Sequence, residues 1–376
     1  MRAASAASAA MALAVLWWSG VAGATAQRTF VASYGLPGNT ASNCSIIKPC
    51  RAFAEAISVT TAGGEVIVLD SAGYGPVTIT QSVSITAPPG VYAGISVFSG
   101  TGIIVFGAGI DVALRGLSVN GLGGATGIAN VVSATLVIER CSVTGMTAEG
   151  IFVAAPGGLL TITDTIVTNN NQKGINFSDL ANPNTVSASL ARVRSEYNLG
   201  SGLYVGAGAR VRVQDSAFNR NFIGVEVDST ISNTRGIQLE LVRSTASENE
   251  ADNISIIAQG AKTTHVEALL VDNVITSSQT TNGVQVWGFG AGSIARVTLT
   301  RNHILNNPGV GIAVSLFVGT GAANVRLSGN VIMSNANYGV IVDPGAGAIV
   351  RSLGENFVDQ NTPSDVLGTI TKVPGI

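Results

Sequence analysis

The sequence predicts an all-β solenoid, in which short parallel strands stack coil upon coil into a rod. The first observation is a repeated unit whose clearest copy runs from Gly311 to Tyr338, with copies upstream and one downstream. The second is the period, a mean of about 26 residues between positions 127 and 339, which is typical of solenoid repeats. The third is alternation of apolar residues rich in β-branched types, which excludes helical repeats of similar length. The units begin at Gly127, Gly150, Gly174, Gly202, Gly224, Asn253, Gly283, Gly311 and Gly339.

The composition is that of a β-protein with few charged residues. Of 376 residues, 46 are glycine, 11% are charged and 46% are hydrophobic. The apolar residues come in short alternating runs, which is neither a membrane nor a disordered profile. A formal net charge of -2 gives no reason to expect nucleic acid or an anionic membrane as a partner.

Residues 1–26 are predicted to be a signal peptide. Arg2 supplies a positive start, Met11 to Trp18 an apolar run, and Ala24 to Ala26 a small-residue cleavage motif before Gln27. A membrane anchor is disfavoured because the apolar run is shorter than a spanning helix and no cationic cluster follows. We therefore expect an exported chain, secreted or periplasmic, with no membrane insertion once the signal is removed.

The segment that follows contains two of the three cysteines. Arg28 to Ser33 is predicted to be a first strand, and Cys44 and Cys50 lie close together in the loop after it. A disulfide fits the exported compartment, whereas a metal or redox pair lacks both a CxxC spacing and a nearby histidine. Cys141, at the start of a later strand, is interpreted as a small buried hydrophobe rather than a nucleophile.

One short helix precedes the strand series. Phe53, Ala54 and Ile57 recur at helical spacing, and Thr60 to Gly64 would end the helix. Such a helix would cover the open end of a rod and protect it from edge-to-edge aggregation. The sequence thus predicts an N-terminal cap over 27–64 and a strand domain over 65–376.

Small polar residues recur at two bends of the repeat, where side chains that tolerate left-handed backbone are favoured. Stacked coil upon coil, they would form side-chain ladders. A structural role in turns is preferred to a polar binding site. The first set is Asp164, Asp215, Asn273, Asn302 and Asn330, and the second is Asn169, Asn198, Asn221, Asn249, Asn306 and Asn335.

These units resemble a known superfamily. VRLSGNVIMSNANYG and RVTLTRNHILNNPGVG are similar to repeats of the right-handed parallel β-helix, or pectin-lyase-like, superfamily. RTFVASYG, PCRAFAEAI and GGEVIVLDSAGYG resemble the N-terminal cap and first coil of its secreted bacterial members. The resemblance covers essentially the whole chain after the signal and implies a right-handed parallel β-helix with a short N-terminal capping helix. It does not specify an activity, because that superfamily includes lyases, hydrolases, epimerases, phage depolymerases and adhesins.

Alternation then divides each strand into two faces. One apolar column should point inward: Ile151, Val153, Ile175, Leu203, Val205, Val225, Val227, Ile254, Ile256, Val284, Val286, Ile312, Val314, Val340 and Val342. The intervening residues should form an exposed outward row on the sheet that superfamily members commonly use for sugar chains: Phe152, Asn176, Tyr204, Glu226, Ser255, Gln285, Ala313 and Ile341.

The candidate catalytic residues are Glu226 and Asp228. They are two positions apart on one strand, so their carboxylates should project from one face about 7 Å apart. That separation suits the acid/base pair of an inverting glycosidase, and carboxylate oxygens also suit a calcium ion. Two solvated surface acids are the simpler interpretation.

Candidate substrate-binding residues flank this pair. Tyr204 and Trp287 would stack on sugar rings, and Asn176 and Gln285 share the outward row. Lys173 would pair with uronate carboxylates, although ordinary solvation is the preferred interpretation of this cation. Further cations with the same possible role, for which ordinary solvation is preferred, are Arg194, Arg212 and Arg220.

Several catalytic signatures are absent from the sequence. The histidines are His265 and His303, and neither lies in the Gly-His-Gly segment of polygalacturonase-type members. Asp343 and Pro344 are followed by glycine and alanine, not by the His-Asp of epimerase-like members. Neither a phosphate-binding loop nor a GxSxG motif is present. The leading hypothesis is therefore a protein that binds a polysaccharide or cell-envelope glycan. A lyase or hydrolase acting on an acidic polysaccharide and a structural or adhesive surface protein are the alternatives, with no cofactor expected beyond calcium.

Overall fold

The computed structural model describes residues 25–154, 157–178, 186–206, 208–229, 236–259, 265–289, 292–315, 321–343 and 347–374. Within these ranges, 38 strands form three sheets in which every pair of neighbouring strands is parallel. We call the three sheets A, B and C, and their strands are given below. Successive strands of the chain lie in sheet C, then sheet A, then sheet B, and then sheet C again, so each circuit of the chain is one coil. The predicted all-β solenoid is confirmed.

Sheet A has 14 strands. Its strands are β1 (Ala26–Val31), β2 (Thr60–Val68), β5 (Val83–Thr86), β8 (Asp111–Arg115), β11 (Thr135–Glu139), β14 (Leu159–Thr163), β17 (Ser187–Ala191), β20 (Arg210–Gln214), β23 (Ile237–Val242), β26 (His265–Val271), β29 (Ile294–Thr300), β32 (Ala322–Ser328), β35 (Ala348–Ser352) and β38 (Ile370–Lys372).

Sheet B has 12 strands. They are β3 (Ala72–Gly73), β6 (Ala93–Val97), β9 (Leu117–Gly121), β12 (Ser142–Thr144), β15 (Ile166–Thr168), β18 (Arg194–Glu196), β21 (Ala217–Asn219), β24 (Thr245–Ser247), β27 (Val274–Thr276), β30 (His303–Leu305), β33 (Val331–Met333) and β36 (Phe357–Asp359).

Sheet C also has 12 strands. They are β4 (Val77–Ile79), β7 (Thr101–Phe106), β10 (Thr126–Val132), β13 (Ile151–Val153), β16 (Ile175–Phe177), β19 (Ser201–Gly206), β22 (Ile223–Asp228), β25 (Ile254–Ala258), β28 (Val284–Gly288), β31 (Ile312–Ser315), β34 (Val340–Val342) and β37 (Val366–Leu367).

The core is the continuous apolar interior of the stack. In sheet C, Leu203 pairs in register with Val225, and Val225 with Ile254. Every residue of the predicted inward column is buried, and the most exposed of them is Val342 at 4%. A single coil of this length cannot bury its own apolar side, so its stability depends on the coils above and below it.

The N-terminal segment joins the stack directly. Strand β1 pairs with β2, and the helix α1 (Phe53–Ser58) buries Phe53, Ala56 and Ile57. A 3-10 helix, Pro37–Ser42, precedes the disulfide between Cys44 and Cys50, which confirms the predicted pairing. The helix ends at Ser58, before Thr60 to Gly64 as predicted, and those residues belong to β2. The capping role of α1 and the boundary at residue 64 stay predictions.

Two buried polar ladders brace the bends. At the bend between sheets A and B, the amide group of each asparagine accepts from its neighbour one coil earlier: Asn273 Nδ2 donates to Asn302 Oδ1 at 2.9 Å, and Asn302 Nδ2 to Asn330 Oδ1 at 3.0 Å. Backbone amides donate to the same oxygens. The ladder members are Ser216, Ser244, Asn273, Asn302, Asn330 and Asn356.

The second ladder follows sheet B, and here the predicted positions need correction. Asn198, Asn221, Asn249 and Asn335 are buried members, as predicted. Asn169 and Asn306 instead have left-handed backbone, and the buried members beside them are Asn170 and Asn307. Two of the residues predicted for the first ladder, Asp164 and Asp215, are likewise displaced by one position. Sequence spacing cannot separate adjacent polar residues when both suit the bend.

At the bend between sheets A and B, the exposed positions that include Asp164 and Asp215 form a third ladder, of alternating charge. Asp164 pairs with Arg192 at 2.6 Å, Asp215 with Arg243 at 2.8 Å, and Asp272 with Arg301 at 2.7 Å. The hydrogen bond from each arginine lowers the pKa of its aspartate. All have left-handed backbone, and the order along the rod is Arg140, Asp164, Arg192, Asp215, Arg243, Asp272 and Arg301.

Among the described residues, no helix is long and apolar enough to span a membrane.

Substituting a ladder asparagine should destabilise the rod. In Asn302→Ala, the backbone and side-chain N–H groups of Asn273 lose their acceptor inside a fully buried bend, so the free energy of unfolding should fall by about 2–4 kcal/mol. Chemical denaturation followed by circular dichroism measures this. Asn337→Ala, at an exposed asparagine nearby, is the control and should change stability by less than about 0.5 kcal/mol. Equal effects of the two substitutions would refute a stabilising role for the ladder.

Candidate functional site

The candidate site is the outward row of sheet C, which is continuous and in register. Asn176 pairs with Tyr204, Tyr204 with Glu226, Glu226 with Ser255, and Ser255 with Gln285. The row was predicted to be exposed, and this is wrong for most of it. The buried members, each less than a tenth exposed, are Asn176, Tyr204, Ser255, Gln285 and Ala313. Phe152, Glu226 and Ile341 are half-buried.

Glu226 is the acid of this row, and its surroundings raise its pKa. Burial raises its pKa, and the neighbouring charge of Asp228 adds to this, while a hydrogen bond from Ser201 and the charge of Lys173 oppose it. The Ser201 hydroxyl donates to Glu226 Oε2. A half-buried carboxyl with a raised pKa can hold a proton at a higher pH than a solvated one, which is the property required of a general acid.

Asp228 shares this strand and face, as predicted. Gln259 Nε2 donates to Asp228 Oδ1 at 3.2 Å. Its partner positions on the neighbouring strands are Gly206 and Ile257, and the Tyr204 ring lies over Gly206. The two acids therefore differ in surroundings: Glu226 is held by a hydroxyl and Asp228 by an amide.

Lys173 and Tyr204 form a cation-π pair. The Lys173 Nζ lies 3.6 Å from the centroid of the Tyr204 ring, and Tyr204 is only 7% exposed. The ring face beneath the ammonium group is thus occupied, so Tyr204 could stack on a sugar only if Lys173 moved. The pair instead presents a cation within reach of Glu226, consistent with its effect on that carboxyl's pKa.

Asn176 offers an unused acceptor. Its Nδ2 donates to Glu149 Oε1 at 3.4 Å, and the residue is 4% exposed. Within the described part of the chain, its Oδ1 is buried and has no hydrogen-bond donor. A buried amide oxygen without a donor is energetically unfavourable, so a hydroxyl group that donated to it would be stabilising, although a ligand reaches it only if the covering side chains move.

Gln285 and Trp287 lie at the other end of the row. Asn282 Nδ2 donates to Gln285 Oε1 at 2.9 Å and to Asp252 Oδ1 at 3.1 Å. Burial raises the pKa of Asp252, against hydrogen bonds from Thr281 and Asn282. Trp287 is half-buried and packs edge-on against Phe289, with ring centroids 5.5 Å apart.

The supporting residues share a sequence position that the prediction overlooked. Glu149, Lys173 and Ser201 each stand immediately before a glycine that begins a unit, and each contacts the outward residue of the next coil. Asp252 and Asn282 occupy the same position in later coils. A polar residue immediately before the glycine or asparagine that starts a unit therefore indicates a side chain that contacts the outward row. Of these residues, only Lys173 was among the predicted candidates.

The remaining candidates are occupied elsewhere. Arg194, Arg212 and Arg220 pair with Glu196, Glu240 and Glu248, which supports the preferred interpretation of ordinary surface charges. Cys141 is 3% exposed, and burial raises its pKa to about 11, as expected of a buried thiol rather than a nucleophile. Over the described ranges, no group of three or more His, Cys, Asp and Glu side chains is placed to hold a metal ion. The calcium hypothesis for Glu226 and Asp228 would therefore need further oxygen ligands.

Comparison with known proteins agrees with this architecture. The family model described as "Right handed beta helix region" matches residues 133–296. The A-module of the Azotobacter vinelandii mannuronan C-5 epimerase AlgE4 superposes with a TM-score of 0.61 at 15% identity, covering 83% of this chain and 91% of that one. No curated protein sequence matches the chain.

Two further solved structures are similar. The Dettilon tailspike protein gives a TM-score of 0.61 at 13% identity, covering 92% of this chain and 68% of that one. XylC in complex with xylose gives 0.59 at 9% identity, covering 81% of this chain and 75% of that one. At such identities the likeness establishes the fold alone. The chain is a right-handed parallel β-helix protein.

The raised pKa of Glu226 predicts a specific pH dependence. Because the folded pKa lies above the unfolded one, the carboxyl favours the folded state at low pH, and this contribution is lost as pH rises through the folded pKa. The free energy of unfolding of the wild type minus that of Glu226→Gln should therefore fall as pH increases from about 4. Denaturation curves across pH measure it, with Glu250→Gln as the control at an exposed glutamate. A difference that is constant with pH would contradict the assignment.

Proposed function

We propose that this protein binds a glycan along the outward row of sheet C. The observation that carries the proposal is the unbroken polar row from Asn176 to Gln285 on a rod whose inner side is apolar. At about 4.8 Å per strand, its five positions span about 19 Å, the length of a short oligosaccharide rather than a single small molecule. Carboxyl, amide, hydroxyl and ammonium groups along it suit a ligand rich in hydroxyl groups.

The names of the similar structures support a carbohydrate ligand. They include a mannuronan epimerase module and a protein complexed with xylose. These names describe those proteins. They favour a saccharide over other hydroxyl-rich ligands as the first class to test, because this chain has the same fold.

A second candidate function is a lyase or hydrolase acting on an acidic polysaccharide. The raised pKa of Glu226 favours it, since proton transfer to or from a sugar requires a carboxyl that can carry a proton near the working pH. In that case Glu226 would be the proton-transferring group, Asp228 its partner acid or a calcium ligand, and Lys173 the cation facing a uronate carboxylate.

Export of the protein is part of the proposal. The signal peptide proposed for 1–26 falls almost wholly outside the described residues, and the argument for it is the sequence pattern alone. A secreted or periplasmic location would bring the row into contact with envelope or environmental polysaccharides. Mass spectrometry of the mature N-terminus after expression in a bacterial host would test cleavage before Gln27.

Binding should depend on the buried acceptor of Asn176. Asn176→Ala removes the oxygen that awaits a donor, so affinity for the preferred glycan should fall by about ten-fold. Isothermal titration with uronate-rich and neutral oligosaccharides measures this, and Asn337→Ala should bind as the wild type does. An unchanged affinity would place the site elsewhere. If the wild type binds no glycan in the panel, the structural or adhesive alternative is preferred.

Turnover separates the two candidate functions. If the protein is an enzyme, incubation with acidic polysaccharides, with and without calcium, should release reducing ends or unsaturated uronides. Glu226→Gln should then lower the rate by at least about 100-fold while leaving the circular dichroism spectrum unchanged. Glu250→Gln should keep the wild-type rate. Binding without any product would exclude the enzyme hypothesis and leave the binding protein.

A further inference from the structure

A second surface, the outer face of sheet A, carries arginines without partners. Ten arginines of the described chain form ion pairs with carboxylates. Arg51 instead donates to a backbone carbonyl and lies over the Tyr74 ring. Among described residues, the arginines whose side chains make neither an ion pair nor a hydrogen bond are Arg210, Arg326 and Arg351, and all three lie on the outer face of sheet A.

Two of these cations lie on adjacent strands in register with each other. Arg326 and Arg351 occupy partner positions on the neighbouring strands β32 and β35, and both are exposed. Like charges directly opposite one another across a strand pair are unfavourable. At the bends, the same chain avoids this arrangement by alternating arginine with aspartate. The pairing of Arg326 with Arg351 on sheet A is therefore electrostatically unfavourable, and a bound anion would offset this repulsion.

The geometry supplies a place for such an anion. Arg296, Arg326 and Arg351 line one cavity of about 340 Å³, together with Thr298 and Asn324. Arg296 has a single, long contact with a carboxylate, 3.5 Å to Glu267. Guanidinium groups bind planar oxyanions through two parallel N–H bonds, and hydroxyl and amide side chains add further donors.

The cavity opens into a longer groove. That groove has a volume of about 740 Å³, runs over the outer face of sheet A from β14 to β32, and shares Arg296, Thr298 and Arg326 with the cavity. Seven strands at about 4.8 Å spacing give a length near 29 Å, which suits an extended chain rather than a free ion. Arg210 and Arg212 lie along it, while its carboxylates, Glu240 and Glu267, face arginines.

The lining residues distinguish between extended anions. Sites for single-stranded nucleic acid combine a basic groove with aromatic side chains on which bases stack. No aromatic side chain lines the groove or the cavity in the described part of the chain. Hydroxyl groups of Thr161, Ser187 and Ser189 do.

We propose that the outer face of sheet A is a second binding site, for an acidic polysaccharide whose carboxylate or sulfate groups occupy the arginine cavity of Arg296, Arg326 and Arg351. This site is on a different sheet from Glu226 and does not depend on the function proposed for sheet C. Its ligand is defined by negative charge, whereas the row of sheet C is matched to hydroxyl groups.

The double variant Arg326→Gln/Arg351→Gln tests the site. With an oligogalacturonate as the probe at low ionic strength, the variant should lose affinity by at least about ten-fold relative to the wild type. The matched control is Arg194→Gln/Arg220→Gln, which removes the same charge from β18 and from the residue after β21, away from sheet A, and should stay within about two-fold of the wild type. Arg326→Lys/Arg351→Lys keeps the charge but not the two-pronged geometry, and should lie between the two. Equal losses in the two glutamine variants would overturn the proposal, because only net charge would then matter.

Further probes fix the ligand class. A neutral oligosaccharide of the same length should not compete, and raised sodium chloride should weaken oligogalacturonate binding. If free sulfate binds as tightly as the oligomer, the site holds a single ion and the extended-ligand proposal fails. Tighter binding of a single-stranded oligonucleotide would likewise overturn the assignment to a glycan. The affinity for oligogalacturonate that Arg326→Gln/Arg351→Gln removes should be the same in an Asn176→Ala background, so failure of one site is distinguishable from failure of the other.

Discussion

Stacking is the constraint on which the rest of this structure depends. One coil offers three short strands with one apolar side each, too little to form a core of its own. Parallel strands therefore pair with the coil above and the coil below, and their backbone hydrogen bonds run along the rod. In-register pairing such as Val225 with Ile254 places each residue type directly over its equivalent. Inside the rod this repetition is favourable, because identical aliphatic side chains pack densely.

For polar side chains the same repetition is favourable or unfavourable according to charge, because like charges stacked in successive coils repel each other. Amide groups can stack indefinitely, since each both donates and accepts, and Asn273, Asn302 and Asn330 do so in the buried bend. Charges cannot. The exposed left-handed position is accordingly filled by arginine and aspartate in alternation, as with Asp272 and Arg301, so that opposite charges meet.

The sequence carried the period, the inward column and the disulfide, because each depends on local pattern or on a pair of cysteines close in sequence. It did not resolve Asn169 from Asn170, since two adjacent polar residues satisfy the same bend and only the backbone geometry separates buried from exposed. The sequence also did not predict that the outward row is mostly buried. Alternation assigns Asn176 and Gln285 to the outer face, but it does not identify the side chains of Glu149 and Asn282 that hydrogen-bond to them there.

In the candidate site, the sequence identified the strand with Glu226 and Asp228. It did not identify Ser201, whose hydrogen bond lowers the pKa of Glu226. Ser201 reaches it from the preceding coil, 25 positions earlier in the chain, through stacking rather than through sequence proximity. The same geometry explains how function can be placed on such a rod. Backbone pairing already fixes the spacing between coils, so a substitution at an outward position changes chemistry at a defined distance from its neighbours while the inner column holds the fold. A polymer with a repeating unit is the kind of ligand that a surface of repeating positions is suited to bind, and the two outer faces of sheets A and C differ in the charge of the groups placed at those positions.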